Sequence, residues 1–314
     1  MQDKNSKSLF GIDINEYTQN VDFDILQRQI DFLYLRSSGS GTGRFRVDKR
    51  FLEFAKRSRE IGIPVGAYHF AVPSYDLKTA EMQCDDFIEL LQKGFGRRDY
   101  GDLFPVVDVE MPLDKSKIST IALVEWIDTF RKRFEKKTRR RLMLYTGLFF
   151  IKMYEEFKVQ GKGYPLKNMP LWLAMYTKIP ANPRVPPDIG GWKKWRMWQY
   201  SESQIVKGTG NPVDANWGPN YIELLMQPDS VSGLNARIYN GRIEVYWQKN
   251  KEVDLLGYNI FINNEWVGTA DLSDTSYVIN IDGYKNLGGK DMVISMEAFD
   301  YDGETSKIRS KILL

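Results

Sequence analysis

The sequence predicts a two-part α/β fold: an irregular parallel β/α barrel with its late helices missing, over residues 1–228, then a small all-β sandwich over 229–314. Three observations carry this reading. Roughly eight short apolar runs fill the first part without the polar alternation of a half-wet sheet. Stretches with helical spacing separate several of the early runs, the pattern of a parallel sheet wound by helices. After Pro228-Asp229-Ser230 the pattern changes to short alternating strands and polar turns, and a chain of 314 residues has room for two domains.

Leu9 to Asp13 reads as a short buried strand ending in an acid. Phe32 to Arg36, Ile63 to Phe70, Leu103 to Glu110, Leu142 to Tyr145, Leu171 to Ala174 and Arg196 to Tyr200 follow, and Val213 to Asn216 is a weak eighth. Between them, Asp48 to Glu60 places Phe51, Phe54 and Ala55 on one side of a helix. Asp76 to Leu91 carries Ala80, Cys84, Phe87, Ile88 and Leu91 at helical spacing, and Ser119 to Phe134 carries Leu123, Trp126, Ile127 and Phe130. A doubly wound open sheet is the alternative, but its phosphate loop is not obvious. In Gly39-Ser40-Gly41-Thr42-Gly43-Arg44, Arg44 stands where the third glycine of Gly-x-Gly-x-x-Gly belongs, and no Gly-x-x-x-x-Gly-Lys-Ser/Thr motif exists. That loop reads as a mobile or rim element. In the second part Ile243 to Trp247, Gly257 to Ile262 and Val293 to Phe299 alternate. Asn263-Asn264, Asp282-Gly283, Gly288-Gly289 and Asp302-Gly303 mark turns, so an antiparallel sandwich of about seven strands is expected.

Composition narrows the chemistry. One cysteine excludes an intramolecular disulfide, and one histidine excludes a three-histidine zinc site. No cofactor motif appears, and none is expected. Cys84 reads as inert core and His69, on a buried strand, as a structural histidine. The net charge is +3, made of 35 basic against 29 acidic residues before Val231 (+6) and 9 against 12 from there on (−3). The positive first part suits an anionic polymer, or carries no message. The basic run Arg131 to Arg141 reads as the solvated end of a helix rather than a nucleic-acid surface. No run approaches about 18 apolar residues, so no membrane-spanning helix is expected. The opening residues lack the apolar stretch of a signal peptide. The chain therefore reads as cytoplasmic, released by a route the sequence does not show, or trimmed.

Carboxylates are left as the workers. In Asp108-Val109-Glu110 the two acids share one strand face, with Cα atoms about 6.6 Å apart at about 3.3 Å per residue. They sit at the strand's C-terminal end, which in a barrel is the active-site mouth. Like charges that close raise one pKa, so one acid stays protonated and can give its proton to a leaving oxygen. Glycosidic cleavage needs such an acid and a second carboxylate. Asp13 ends the first strand and Asp214 lies near the last, which is its neighbour in a closed barrel, so four acids face one mouth. Helix capping and salt bridging are the structural alternative for each, and a magnesium or calcium site the rival functional reading. Tyr17, Tyr68, Tyr145, Trp172, Tyr176 and Trp198 lie at or just past strand ends, where aromatic rings suit the flat C–H faces of sugars. Tyr200 shares that placement, and Trp192 and Trp195 read as outer packing.

At these residues the chain resembles the family 25 glycoside hydrolases, the Chalaropsis-type lysozymes or muramidases. The resemblance covers roughly Leu9 to Leu225. It rests on Gly11-Ile12-Asp13-Ile14-Asn15, Gly66-Ala67-Tyr68-His69-Phe70, Pro105-Val106-Val107-Asp108-Val109-Glu110, Leu171-Trp172-Leu173-Ala174-Met175-Tyr176, Trp198-Gln199-Tyr200 and Val213-Asp214-Ala215-Asn216. It implies an irregular TIM-like barrel that hydrolyses the β-1,4 bond between N-acetylmuramic acid and N-acetylglucosamine in bacterial peptidoglycan. It further implies Glu110 as general acid, Asp108 as its partner, Asp13 and Asp214 as tuning groups, and net retention, with the substrate acetamide favoured as nucleophile and a protein carboxylate as the alternative. Arg36-Ser37-Ser38 departs from the family's second-strand end. The tail from Leu234 resembles a fibronectin type III domain, an immunoglobulin-like sandwich, through Ile243 to Trp247, Gly257 to Ile260, Thr275-Ser276-Tyr277 and Glu297 to Gly303, with Trp247 and Tyr258 in its core. Such architectures occur in phage or prophage lysins, which implies action at the bacterial wall after release through a separate pore, with no membrane insertion of its own. Anionic wall polymers fit the +6 part. A silent wall-glycan-binding or phage structural protein is the alternative.

Overall fold

The structure is a computed structural model that describes residues 1–280 and 292–314. The chain divides into two compact units, Met1–Leu225 and Met226–Leu314.

The first unit holds nine strands: β1 (Phe10–Ile14), β2 (Phe32–Gly39), β3 (Arg46–Val47), β4 (Val65–Phe70), β5 (Val106–Asp108), β6 (Met143–Gly147), β7 (Leu171–Ala174), β8 (Met197–Gln204) and β9 (Val213–Trp217). Eight of them close a barrel in the order β1-β9-β8-β7-β6-β5-β4-β2, sealed by the parallel β1–β2 pairing, while β3 pairs antiparallel on β2. One strand departs from the expected parallel pattern: β9 runs antiparallel to both β8 and β1. The cause is loop length. A parallel return needs a crossover of about a dozen residues or more, and 205–212 is too short to make one.

The helices are α1 (Phe23–Leu26), α2 (Phe51–Ile61), α3 (Leu77–Phe95), α4 (Thr120–Thr138) and α5 (Leu148–Met153). Asp22, Asp76 and Ser119 cap α1, α3 and α4 by accepting from the amides of Ile25, Lys78 and Ala122. No α-helix lies between β7 and β9, as the fading periodicity predicts. Strand alternation then sorts the side chains. Ile12, Leu33, Leu35, Val65, Ala67, Val107 and Leu144 point outward and join Phe54, Phe87, Leu91, Trp126 and Phe130 of the helices in one core. Phe32, Tyr34, Val106, Met143 and Met197 point inward and close the barrel floor, all fully buried or nearly so. The floor is tight enough to require glycine twice. A Cβ on Gly11 would lie 2.2 Å from the Phe32 ring, and one on Gly66 2.5 Å from the Tyr34 ring.

The basic run does end α4, with Lys132, Lys136, Lys137 and Arg139 exposed, but part of the expectation needs a correction. It is not a uniformly solvated helix end. Arg133 pairs bidentately with Asp85 at 2.7 and 2.6 Å, and Arg131 pairs with Asp128 and Glu135. Arg140, beyond the helix, is buried and donates to the carbonyls of Gly101 and Leu103 at 3.0 and 3.1 Å. Arg133 ties α4 to α3, Arg131 pairs within α4, and Arg140 caps loose carbonyls after it; the cross-helix and loop partners are what periodicity along a single helix does not reveal.

The second unit contains β10 (Ser232–Tyr239), β11 (Arg242–Gln248), β12 (Leu255–Ile262), β13 (Glu265–Asp271), β14 (Ser276–Asn280), β15 (Val293–Asp300) and β16 (Ser310–Leu313). They form antiparallel sheets ordered β10-β11-β14 and β13-β12-β15-β16. Alternate residues of both sheets, Val245, Trp247, Tyr258, Ile260, Ile294 and Met296 among them, make one core. Asn263 and Asn264, with φ of 49° and 71°, form the two-residue turn between β12 and β13. The expected turns at Asp282-Gly283 and Gly288-Gly289 lie outside the described residues.

Candidate active site

Polar side chains gather at one end of the barrel around a cavity of about 250 Å³. All four acids singled out in the sequence line it: Asp13, Asp108, Glu110 and Asp214. Asp13 lies near the C-terminal end of β1 and is directly opposite Asp214 in the ladder. Because β9 is antiparallel, Asp214 reaches this end from the start of its strand, not from its finish. Asp108 ends β5, two residues earlier than the sequence suggests, so Glu110 lies beyond the ladder. The backbone still runs straight enough for the Val109 amide to donate to the Tyr145 carbonyl at 2.9 Å. Val109 is buried in the outer core, and the acids on either side of it face the cavity.

Burial and proximity control the protons. Burial pushes the Asp108 carboxyl well above the ordinary carboxylate range, Glu110 and Asp13 push it further, and Arg36 opposes them. Burial followed by Asp13 raises Glu110. Burial raises Asp13 against the lowering effect of hydrogen bonds from Asn216 and Gln199. Asp214 is raised by burial and by Asp13 beside it. A low-dielectric cavity walled by four carboxyls thus retains protons that isolated carboxyls would have lost at neutral pH. Asp108 has one further property: its Oδ1 is buried and has no hydrogen-bond partner among the described residues.

A chain of amides and rings holds the acids. Trp172 Nε1 donates to Asn216 Oδ1 at 2.7 Å, and Asn216 Nδ2 donates to Asp13 Oδ2 at 2.9 Å. Gln199 Nε2 donates to the same oxygen at 3.0 Å, while Gln199 Oε1 accepts from the hydroxyls of Tyr145 and Tyr176 at 2.7 and 3.1 Å. Both amides are therefore locked in orientation. Gln199, Asn15, Arg36 and Phe70 line the cavity, although in the sequence they stand only as motif residues with no site role assigned, and Asn216 acts just behind it. The available signal was an amide inside an apolar strand: with side chains alternating, Asn216 must share the face of Asp214. Arg36 is held by Asp48 at 3.0 Å and Glu16 at 3.4 Å.

Of the six aromatic candidates, Tyr68, Tyr145 and Trp172 line the cavity. Tyr176 does not, but its hydroxyl reaches Gln199 and its ring is half-exposed. Tyr17 is exposed, its ring 5.2 Å from the Arg36 guanidinium, at the rim. Trp198 is corrected outright. It neighbours Gln199 on β8 and so faces the other way, fully buried against Trp195 and Trp217, with its indole N–H donating to the Met175 carbonyl at 2.7 Å. His69 is buried between the Phe45 and Phe130 rings, with Nδ1 2.9 Å from Ser38 Oγ and Nε2 3.1 Å from Gln83 Oε1. Burial lowers its pKa to about 4, so it stays neutral. Cys84 is buried in α3 with its thiol pushed up to about 12. Among the described residues no three His, Cys, Asp or Glu side chains converge as metal ligands.

Comparison with known proteins shows the family. The chain is 28% identical to lysozyme M1 of Streptomyces globisporus over 210 residues, 66% of each chain. It is 29% identical to the N,O-diacetylmuramidase of Arthroderma benhamiae over 211 residues, 66% of this chain and 82% of the relative. The crystal structure of the Clostridium perfringens spore cortex lytic enzyme SleM matches 100% of this chain and 99% of its own, with a TM-score of 0.95 and 57% identity. The pattern of glycosyl hydrolases family 25 spans residues 12–209, well over half of the chain, and the protein belongs to that family and is a glycoside hydrolase of the muramidase type.

Proposed function

We propose that the protein hydrolyses the β-1,4 bond between N-acetylmuramic acid and N-acetylglucosamine in peptidoglycan, with Glu110 as general acid. The observation that carries this is the pair Asp108 and Glu110 on one cavity wall, both with raised pKa values. Burial, which favours the protonated form of Glu110, suits it to give its proton to the leaving glycosidic oxygen. Asp108, a cavity-lining carboxyl whose buried Oδ1 has no partner among the described residues, accepts in its ionised form from the substrate acetamide N–H and steadies the positive charge as the acetamide oxygen attacks; water then displaces that oxygen from the opposite face, giving net retention. Asp13 and Asp214 set the field around that pair. Tyr68, Tyr145 and Trp172 supply ring faces for the sugars, with Tyr176 and Tyr17 nearer the opening.

The whole-chain likeness to SleM favours spore-cortex peptidoglycan as the physiological form over a phage setting. The second unit, 229–314 in this reading, is of the fibronectin type III kind. Its three- and four-stranded antiparallel sheets around Trp247 and Tyr258 support that.

Digestion of purified peptidoglycan should release new muramic-acid reducing ends, first as the β-anomer. New N-acetylglucosamine ends sink the muramidase assignment, and an initial α-anomer sinks retention. A silent wall binder would release no fragments at all.

A further inference from the structure

Glu110 lies past the last ladder residue of β5, so the strand alone does not fix it. Its direction depends on what grips the chain on both sides. Upstream the grip is the Val109 amide on the Tyr145 carbonyl. Downstream, the hydroxyl of the fully buried Tyr154 donates to the Pro112 carbonyl at 2.8 Å, and its ring packs 4.8 Å from Phe150. The next residue, Glu155, bonds both Lys115 Nζ and Thr120 Oγ1. The Ser119 amide donates to the Tyr75 hydroxyl at 3.0 Å. The segment 111–119 is thus pinned at its start, middle and end, twice by the turn that follows α5. That turn is strained. Glu155, Glu156 and Phe157 have φ of 45°, 56° and 57°, three successive non-glycine residues in the left-handed region. A connection with no other duty has no need of such a run, and here its first carboxylate is what ties down the loop after Glu110.

We propose that Tyr154 and Glu155 are positioning residues for Glu110, holding 111–119 so that the Glu110 carboxyl stays on the cavity wall. The inference rests on Glu110 being the general acid. Neither residue lines the cavity, so both act through the loop.

Tyr154→Phe keeps the ring and removes only the hydroxyl. The expected result is a fall in kcat of roughly tenfold to a hundredfold on soluble glycan chains, with KM nearly unchanged, because a small misplacement of an acid costs rate rather than binding. The alkaline limb of the kcat profile should also move to lower pH as Glu110 gains water. Glu155→Gln, on a half-exposed side chain, should shift both readouts in the same direction by less. Glu156→Gln, an exposed neighbour in the same turn, should shift neither. Wild-type kcat and an unmoved alkaline limb in both Tyr154→Phe and Glu155→Gln overturn the proposal. Retained activity in Glu110→Gln instead overturns the general-acid reading beneath it, so the two failures are distinguishable.

Discussion

The barrel mouth and the end of β15 both bury acids, yet they differ in what those acids face. At the mouth Asp108 is buried and Oδ1 has no partner on a cavity wall. At the end of β15 Asp300 is also buried, and burial followed by the nearby Glu304 pushes it up to about 7. Its Oδ1, however, already accepts from the amides of Asp302 and Glu304 at 2.9 and 2.8 Å. Asp300 is a turn-maker whose capacity to accept is used inside its own loop. A raised pKa therefore reports burial. What separates the two acids is that Asp108 lines a cavity and keeps a buried oxygen without a partner among the described residues, whereas the Asp300 oxygen is already used.

The comparison is broken most directly by exchanging one acid from each region. Glu110→Gln should lower kcat by roughly 10²- to 10⁴-fold, the usual worth of a positioned proton donor, with little change in the thermal midpoint. Asp300→Asn should leave kcat unchanged. Equal losses in both would show that the distinction is empty.

Asp108→Asn sharpens the same point, because it should harm activity and help stability together. The loss expected is about a hundredfold or more in kcat, because an amide cannot ionise to face the positive charge that the proposed reaction develops. The sign of the stability change follows from the raised carboxyl. A group whose folded pKa lies above its unfolded value contributes stability that is present at low pH and is lost as pH rises through the folded pKa. Removing the ionisable group removes that loss, so the variant should melt higher than the parent at pH 8 and nearly level with it at pH 4. A lower melting point at pH 8 would mean that the Asp108 environment is already matched to a full charge. Gln199→Leu comes next. It strips Asp13 of one donor and frees the Tyr145 hydroxyl, and should cost roughly tenfold to a hundredfold in kcat, the scale of one hydrogen bond to a charged group. An unchanged kcat would remove Gln199 from the machinery.

How much of this was legible beforehand depends on the range of the interaction. The eight barrel strands, the three long helices and the four acids are local patterns: apolar runs, 3.6-residue spacing and a residue type at a strand end. The alternation rule correctly put Asp108 and Glu110 on one face even though the ladder stops between them. The same rule would have excluded Trp198 and drawn in Gln199, had a single phase been assigned along β8; aromatic character prevailed over register there. The antiparallel β9 was hidden because strand direction depends on a loop's length against the crossover it must make. Arg140 and the Arg36–Asp48–Glu16 group were out of reach, since their partners come from distant parts of the chain.

The smallest effect belongs to the second acid cluster, and it tests the structural side of the comparison. With a folded pKa of about 7 against an ordinary 3.8, Asp300 contributes stability that is complete below about pH 4 and is lost as pH rises through 7. Between pH 4 and 8 the full chain should lose on the order of a few kcal/mol on this account. Asp300→Asn keeps an oxygen for the Asp302 and Glu304 amides but cannot ionise. Its unfolding free energy, followed by denaturant titration at several pH values, should fall less steeply over that window than the parent's, while peptidoglycan hydrolysis stays at the parental rate. Parallel pH curves for the two proteins would place the ionising group elsewhere. The acid at the end of β15 would then resemble an ordinary surface carboxylate, and the contrast with the mouth would rest on the cavity alone.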